Sequence, residues 1–267
     1  MENRTEISSL GEFGLIDHLT KNIEIKNSST ILSVGDDAAV IDHFGKQTVV
    51  STDLLIEGIH FDLMYTPLKH LGYKSVVVNL SDIYAMNATP TQITVSIGFS
   101  NRFSVEGLDE FYEGIYAACE KYNVDLVGGD ISSSNKGFII SVTAIGEVAP
   151  EKFVTRTGAQ PGDLVCVSGF LGGSFLGLAL LEREKKIYLE HPQVQPDLES
   201  QAYVVGRLLK PEAQKEIVEF LEKMPEIPGF EKTHVREPKK GNNPKYDTSK
   251  NVLAYLSYKK MENAVHK

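Results

Sequence analysis

Gln92-Ile93-Thr94-Val95-Ser96-Ile97-Gly98-Phe99 alternates without a break, with Ile93, Val95, Ile97 and Phe99 on one face and polar or small residues on the other. A period of two marks a half-buried strand. Directly downstream, Leu108, Phe111, Ile115, Cys119 and Tyr122 recur at helical spacing, which predicts an amphipathic helix over Val105–Tyr122. A short strand, Val124 to Val127, then runs into Gly128-Gly129-Asp130. Working outward, Tyr73 to Met86 fits a helix closed by Asn87 and a turn around Pro90. Thr48 to Ser51 is a β-rich run ending at Thr52-Asp53. Ile31 to Val34 and Ala38 to Ile41 are extended on either side of Gly35-Asp36-Asp37. Gly11 to Leu19 reads as a short helix with Phe13, Ile16 and Leu19 as apolar contacts, and Phe138 to Ile145 is a further strand. This order describes an α/β domain of layered α+β type, residues 1–150, ending near Val148.

A second segment, 151–224, begins with turns at Thr155-Arg156-Thr157-Gly158 and Pro161-Gly162-Asp163. Leu164 to Val167 is a strand, Gly169 to Gly173 a glycine-rich turn, and Ser174 to Glu184 a helix. Tyr203 to Leu208 and Pro211 to Lys223 are helical, the latter with Pro at a favourable first-turn position. From Pro225 the character changes. Four prolines and a Lys/Asn/Gly cluster break any periodicity, so 225–267 reads as a flexible tail, with a terminal helix over Val252 to Met261.

The formal charge is −9, yet the tail carries nine basic and five acidic residues, which leaves the body at −13. That balance argues against sequence-independent nucleic-acid binding, for there is little cation excess to displace counterions. The start of the chain has no basic stretch followed by an apolar one, and the longest apolar run, Phe170 to Leu181, is too short to span a bilayer. Cys119 and Cys166 have no zinc-like spacing and read as buried, reduced thiols of a cytoplasmic protein. P-loop and nucleophile-elbow motifs are both missing from the sequence.

An acidic body can simply be a soluble surface, so the carboxylates must be judged by position. Asp53 and Asp130 lie just past predicted strands, where α/β sheets present ligand groups. Asn79 and Asp82 are three apart on a predicted helix and share a face. If Asp37, Asp53, Asp82 and Asp130 converge, their repulsion requires a cation, and an oxygen set without His or Cys suits magnesium better than zinc. The other reading of each is a turn cap or a solvated helix residue. The turn Gly169 to Gly173 could cradle a phosphate at a helix start, or only connect packed elements.

Taken in order, Gly-Glu-Phe (11–13), Gly-Asp-Asp-Ala (35–38), Ser-Thr-Asp-Leu-Leu-Ile-Glu-Gly-Ile-His-Phe (51–61), Asn-Leu-Ser-Asp (79–82), Gly-Gly-Asp (128–130) and Thr-Arg-Thr-Gly (155–158) resemble bacterial thiamine-monophosphate kinase, a relative of the aminoimidazole-ribonucleotide synthetase superfamily. The resemblance spans roughly Gly11 to Glu222, and its most specific part is Ser51 to Phe61. It implies a mixed-sheet N-terminal domain of the superfamily type, an incomplete C-terminal α/β domain, and transfer of phosphate from ATP to thiamine monophosphate. By resemblance, Asp37, Ser51, Thr52, Asp53, Asp82 and Asp130 would hold several magnesium ions. Gly129, Asp130 and Arg156 would contact ATP, with Tyr112 near the base, and His60 would contact the thiamine phosphate. A homodimer built through the N-terminal domain is implied as well.

No general base is implied, because the accepting phosphate is already anionic near neutral pH, its second pKa being about 6. The family also has an Asp-x-Ser-Asp-Gly-Leu segment that this sequence lacks. Its second domain would therefore want strands, and its site a wall, through shortening, a frame shift or divergence. Three other readings stand beside the kinase: a superfamily member with another acceptor, a nucleotide- or metal-binding protein without turnover, and a structural protein whose aspartates are turn caps.

Overall fold

The computed structural model describes residues 5–34, 40–150, 152–154, 161, 164–167, 169, 171–196, 198–223, 232–234 and 255–258. Its centre is a four-stranded mixed sheet of β3 (Gln47–Ile56), β4 (Thr89–Phe99), β5 (Asp125–Ser133) and β6 (Ile139–Val148), in the order β3-β6-β4-β5. The β4–β5 pair is parallel and the other pairs are antiparallel. A two-stranded ribbon, β1 (Thr30–Leu32) and β2 (Val40–Ile41), lies before β3. The alternation in β4 plays out as written: Ile93, Val95, Ile97 and Phe99 are buried, as are Ile140, Val142 and Ala144 of β6 beside them.

Two helices cover that apolar face. The first, α2 (Leu68–Ala85), is buried from Leu71 to Ser81 with only Lys74 partly exposed, because it lies between the sheet and the next helix. A helix enclosed on most sides needs no polar stripe. The outer one, α3 (Val105–Tyr122), is amphipathic and has the bounds its periodicity predicts. Ser104 caps its start by accepting from Gly107 N at 3.3 Å, and Asn123 ends it in the left-handed conformation at φ 55°. Phe138 centres the aromatic core, its ring centroid 4.9 Å from that of Phe103, 5.1 Å from Phe111 and 6.2 Å from Phe61. The first helix, α1 (Gly11–Thr20), packs through Leu15 and Leu19.

Asp125, fully buried, accepts from Lys26 N at 2.6 Å, Asn27 N at 3.1 Å and Thr30 Oγ1 at 2.6 Å. It fastens the entry to β1 against the start of β5.

Beyond the sheet domain, β7 (Leu164–Val167), α4 (Gly173–Glu190), α5 (Ala202–Leu209) and α6 (Lys215–Lys223) follow in order. Pro211 does not open α6, which begins four residues later. Instead 211–214 is a non-helical strap held by Glu212, which accepts from Tyr73 Oη at 2.6 Å, Tyr122 Oη at 2.7 Å and Lys121 Nζ at 2.7 Å. The terminal helix predicted over Val252 to Met261 is corrected at Tyr255–Tyr258, which is a strand, β9. It pairs antiparallel with both β7 and β8 (Lys232–His234), so segments read as tail supply two strands of a three-stranded sheet.

The α2–α3 crossing carries a sharp test. A Cβ added at Gly72 would lie 1.9 Å from the Phe111 carbonyl oxygen, and one at Gly114 would lie 1.9 Å from the Lys69 carbonyl oxygen. Gly114→Ala is therefore expected to destabilise by about 3 kcal/mol despite the better helix propensity of Ala, read as a fall in the denaturant midpoint. An unchanged midpoint would mean that the helices do not touch there.

Glu212 gives a pH signature. Burial alone would raise its carboxyl, but hydrogen bonds from Lys121, Tyr73 and Tyr122 outweigh it and hold the group below its ordinary value of 4.5. A depressed folded pKa stabilises above the unfolded value and loses that contribution as the pH falls through the folded one. Thermal unfolding between about pH 3 and 7 is expected to show this acid-side loss in the native chain and less of it in Glu212→Gln. Equal acid sensitivity of the two would refute the assignment.

Candidate functional site

A cavity of about 510 Å³ opens between the C-terminal end of β3, the loop after it, and α2, with α4 and α5 as the opposite wall. The loop is built by hydrogen bonding. Ile56 O accepts from Ile59 N at 3.1 Å and His60 N at 2.9 Å, and Gly58 N donates to Phe61 O at 2.8 Å. Glu57 Oε2 accepts from Phe138 N at 2.8 Å. Phe61 is locked against Phe138, so its neighbour His60 is held out at the cavity. The His60 Nδ1 accepts from Ile56 N at 3.0 Å, which places the proton of the neutral ring on Nε2.

Two polar ties fix α4 over this loop. Tyr65 Oη donates to Glu182 Oε1 at 2.8 Å, and Lys185 pairs with Asp62. Burial, with the Glu182 carboxylate beside it, raises the Tyr65 phenol far above its usual range. On this side the cavity is lined by Leu178, Glu182, Lys185, Leu208 and Leu209.

The sequence-predicted site residues divide by sheet face. Asp53 lies within β3 and Asp130 within β5, not past the strand ends as their sequence neighbours suggested. Strand alternation then decides their placement. Ser51 and Asp53 share the helix-covered face of β3, where Ser51 Oγ donates to Asp82 Oδ2 of α2 at 2.9 Å and Asp53 is buried at 6 % exposure. Ser51 thus meets Asp82, and Asp53 lies two residues along the same face of β3, where it lines the cavity.

Thr52 points to the open face, where its Oγ1 donates to Val142 O at 3.1 Å and accepts from Thr143 Oγ1 at 3.1 Å. Asp130 is exposed on that face, level with Ser96 across β4 and Ser141 of β6, on the far edge strand from Asp53. Gly129 precedes it, and a Cβ there would lie 1.9 Å from the Val95 carbonyl oxygen, a packing reason for glycine independent of any ligand. Tyr112 is buried in the core with its ring against Phe111 and Tyr116, away from the cavity. Asp37 and Arg156 lie outside the described residues.

Among the described residues no group of three or more His, Cys, Asp or Glu is placed to hold a metal ion. Two carboxylates and a hydroxyl remain, an all-oxygen set that suits magnesium, since that ion binds through one or two carboxylates and keeps water and substrate phosphate for its other positions. Sequence reading missed the cavity wall, because Lys74, Asp62, Tyr65, Glu182 and Lys185 belong to no motif and meet only through the docking of α4. Cys119 is buried, as expected, and burial pushes its thiol up to about 12. No helix among the described residues is long and apolar enough to cross a membrane.

Residues 35–148 match the family model of AIR synthase related protein, N-terminal domain, and 209–260 match a separate one, protein of unknown function (DUF3970). The thiamine-monophosphate kinase of Aquifex aeolicus is 38 % identical over 217 residues, covering 81 % of this chain and 65 % of that protein. A crystal structure of thiamine-monophosphate kinase from Stenotrophomonas maltophilia is 30 % identical with a TM-score of 0.64, covering 78 % of this chain and 63 % of that one. A solved structure described as AaThiL complexed with AMPPCP and TMP is 36 % identical with a TM-score of 0.59, covering 82 % and 65 %. The chain thus spans less than two thirds of the length of these relatives. Within the sheet domain, residues 35–148 are thus similar to the AIR synthase related N-terminal domain, and over most of its own length the chain is similar to the thiamine-monophosphate kinases.

Proposed function

We propose that this chain is a phosphotransferase that moves the γ-phosphoryl group of ATP to thiamine monophosphate, giving thiamine diphosphate and ADP. The observation that carries the reading is the junction of an all-oxygen group, Ser51, Asp53 and Asp82, with a cavity of about 510 Å³ that also holds His60. The resemblance to kinases, one of them solved with AMPPCP and TMP, supplies the donor and acceptor.

Asp53 and Asp82 would hold magnesium, Ser51 orienting the Asp82 carboxylate through its hydroxyl. Bound magnesium neutralises phosphate charge and lets two anions approach. The remaining work falls to the chain. His60 presents an Nε2–H donor to the acceptor, the α4 wall limits water, and no residue is needed to take a proton from an oxygen already ionised. Asp37, Thr52 and Asp130 remain proposed further metal ligands, and Tyr112, Gly129, Asp130 and Arg156 proposed ATP contacts.

The homodimer belongs to the same proposal. The open sheet face exposes Val50 at 60 % and Leu54 at 48 %, beside the Thr and Ser rows. A partner copy covering it would border Gly129, Asp130 and Thr52, so these residues would serve a site shared between copies. A cytoplasmic location and a first domain over 1–150 accompany this reading, whereas the boundary expected between 151–224 and 225–267 is crossed by the pairing of β7 with β9.

Incubation with ATP, magnesium and thiamine monophosphate is expected to yield thiamine diphosphate, detected after oxidation to the fluorescent thiochrome ester. Asp53→Asn is expected to cut turnover about a hundredfold or more while leaving the unfolding midpoint near native, since metal-bound charge stabilisation amounts to several kcal/mol. Binding of Mg-ADP without product would favour a nucleotide-binding protein without turnover; product from another phosphate acceptor alone would favour a superfamily relative. Light scattering on the full chain is expected to give twice the monomer mass, and a monomer at high concentration would sink the dimer.

A further inference from the structure

The charged side chains lining the cavity are nearly all matched. Asp62 pairs with Lys185, and Glu182 accepts from the Tyr65 hydroxyl. Asp53 and His60 have interactions of their own. Lys74 differs. Among the described residues it has no carboxylate within ion-pair reach, and its ammonium is 3.5 Å from the His60 carbonyl oxygen, the outer limit of a hydrogen bond. Burial lowers its pKa to about 8, with no carboxylate counteracting it. A half-buried cation without a counter-charge is costly until an anion arrives.

Position says which anion. Lys74, Val78 and Asp82 stand at i, i+4 and i+8 of α2, one face of the helix. That face runs antiparallel to β3, for Asp82 meets Ser51 at one end and Lys74 meets His60 at the other. Eight residues of helix separate Lys74 from Asp82 by about 12 Å, and two residues of strand carry Asp53 roughly 7 Å from Ser51 toward Lys74. The difference leaves roughly 5 Å between the Asp53 and Lys74 levels, the space of one bridging anion.

We infer that Lys74 is the phosphate ligand of the acceptor pocket, holding the monophosphate of the substrate beside the carboxylate end of the cavity. The inference rests on the kinase reading above and deepens it. A lysine here acts as a point charge on the phosphate, which lets the pocket tell a phosphorylated acceptor from its free alcohol.

Calorimetric titration of the full chain with thiamine monophosphate, thiamine and Mg-ADP tests it, using native protein, Lys74→Met and Lys74→Arg. Lys74→Met is expected to reduce the preference for thiamine monophosphate over thiamine by about tenfold or more, the scale of one charge-assisted contact. Mg-ADP affinity and the unfolding midpoint stay native, and Lys74→Arg recovers much of the preference. Unchanged preference in Lys74→Met overturns the inference and leaves the kinase reading intact, as does equal loss of Mg-ADP and thiamine monophosphate affinity. If the native chain binds Mg-ADP but not thiamine monophosphate, the acceptor assignment falls and Lys74 with it. If it binds neither, the kinase reading itself has failed.

Discussion

The α2–α3 crossing is closed until backbone meets backbone, with Gly72 and Gly114 each facing a carbonyl oxygen of the other helix. That approach fixes α2 as the inner layer, pressed between α3 and the sheet. Because α2 cannot shift without opening this contact, the residues it presents to β3 have fixed positions. Asp82 meets Ser51, Lys74 reaches the loop after β3, and Tyr73 reaches Glu212 on the strap. One tight crossing thus sets the depth of the cavity, the place of its charges and the anchorage of the segment leading to α6. Packed interiors transmit such constraints because they deform little.

The fold was legible wherever a single period dominated. Val105–Tyr122 has its predicted bounds because an apolar stripe, a capping Ser104 and a left-handed Asn123 agree. The β4 strand has its predicted face for the same reason. The β3 and β5 strands run several residues beyond their predicted ends, through Thr52-Asp53 and Gly128-Gly129-Asp130, which carry turn-forming residue types yet complete the pairing with β6 and β4. Once both aspartates are mid-strand, their faces follow from register, and register is tertiary information. The strand at Tyr255–Tyr258 was unreadable for a related reason, as its partner β7 lies some ninety residues earlier. Of the candidate site, Ser51, Asp53, Asp82 and His60 stand in the ordered motif series, whereas the α4 wall does not, since nothing local relates Glu182 or Lys185 to Tyr65 or Asp62.

The acidic composition also sorts into different tasks. Asp125 and Glu212 are structural acceptors, each with three donors, and neither belongs to the motif series. Asp62 and Glu182 hold α4 in place. Among the described residues, Asp53 on the helix-side face of β3 and Asp82 on α2, with Ser51 donating to Asp82, are the carboxylates proposed for a hard cation. A formal charge of −9 says nothing of this division. It comes from which carboxylates find backbone N–H groups or hydroxyls first.

The small sheet β7-β9-β8 has its latest strand in the middle. During synthesis, β7 and β8 both leave the ribosome before the strand that joins them exists. The sheet domain, by contrast, has all its strands once residue 148 is made, and domains fold in that vectorial order. Any nascent or cleaved chain ending between β8 and β9 therefore carries two open strand edges with nothing between them, which is the condition under which one chain borrows a strand from another.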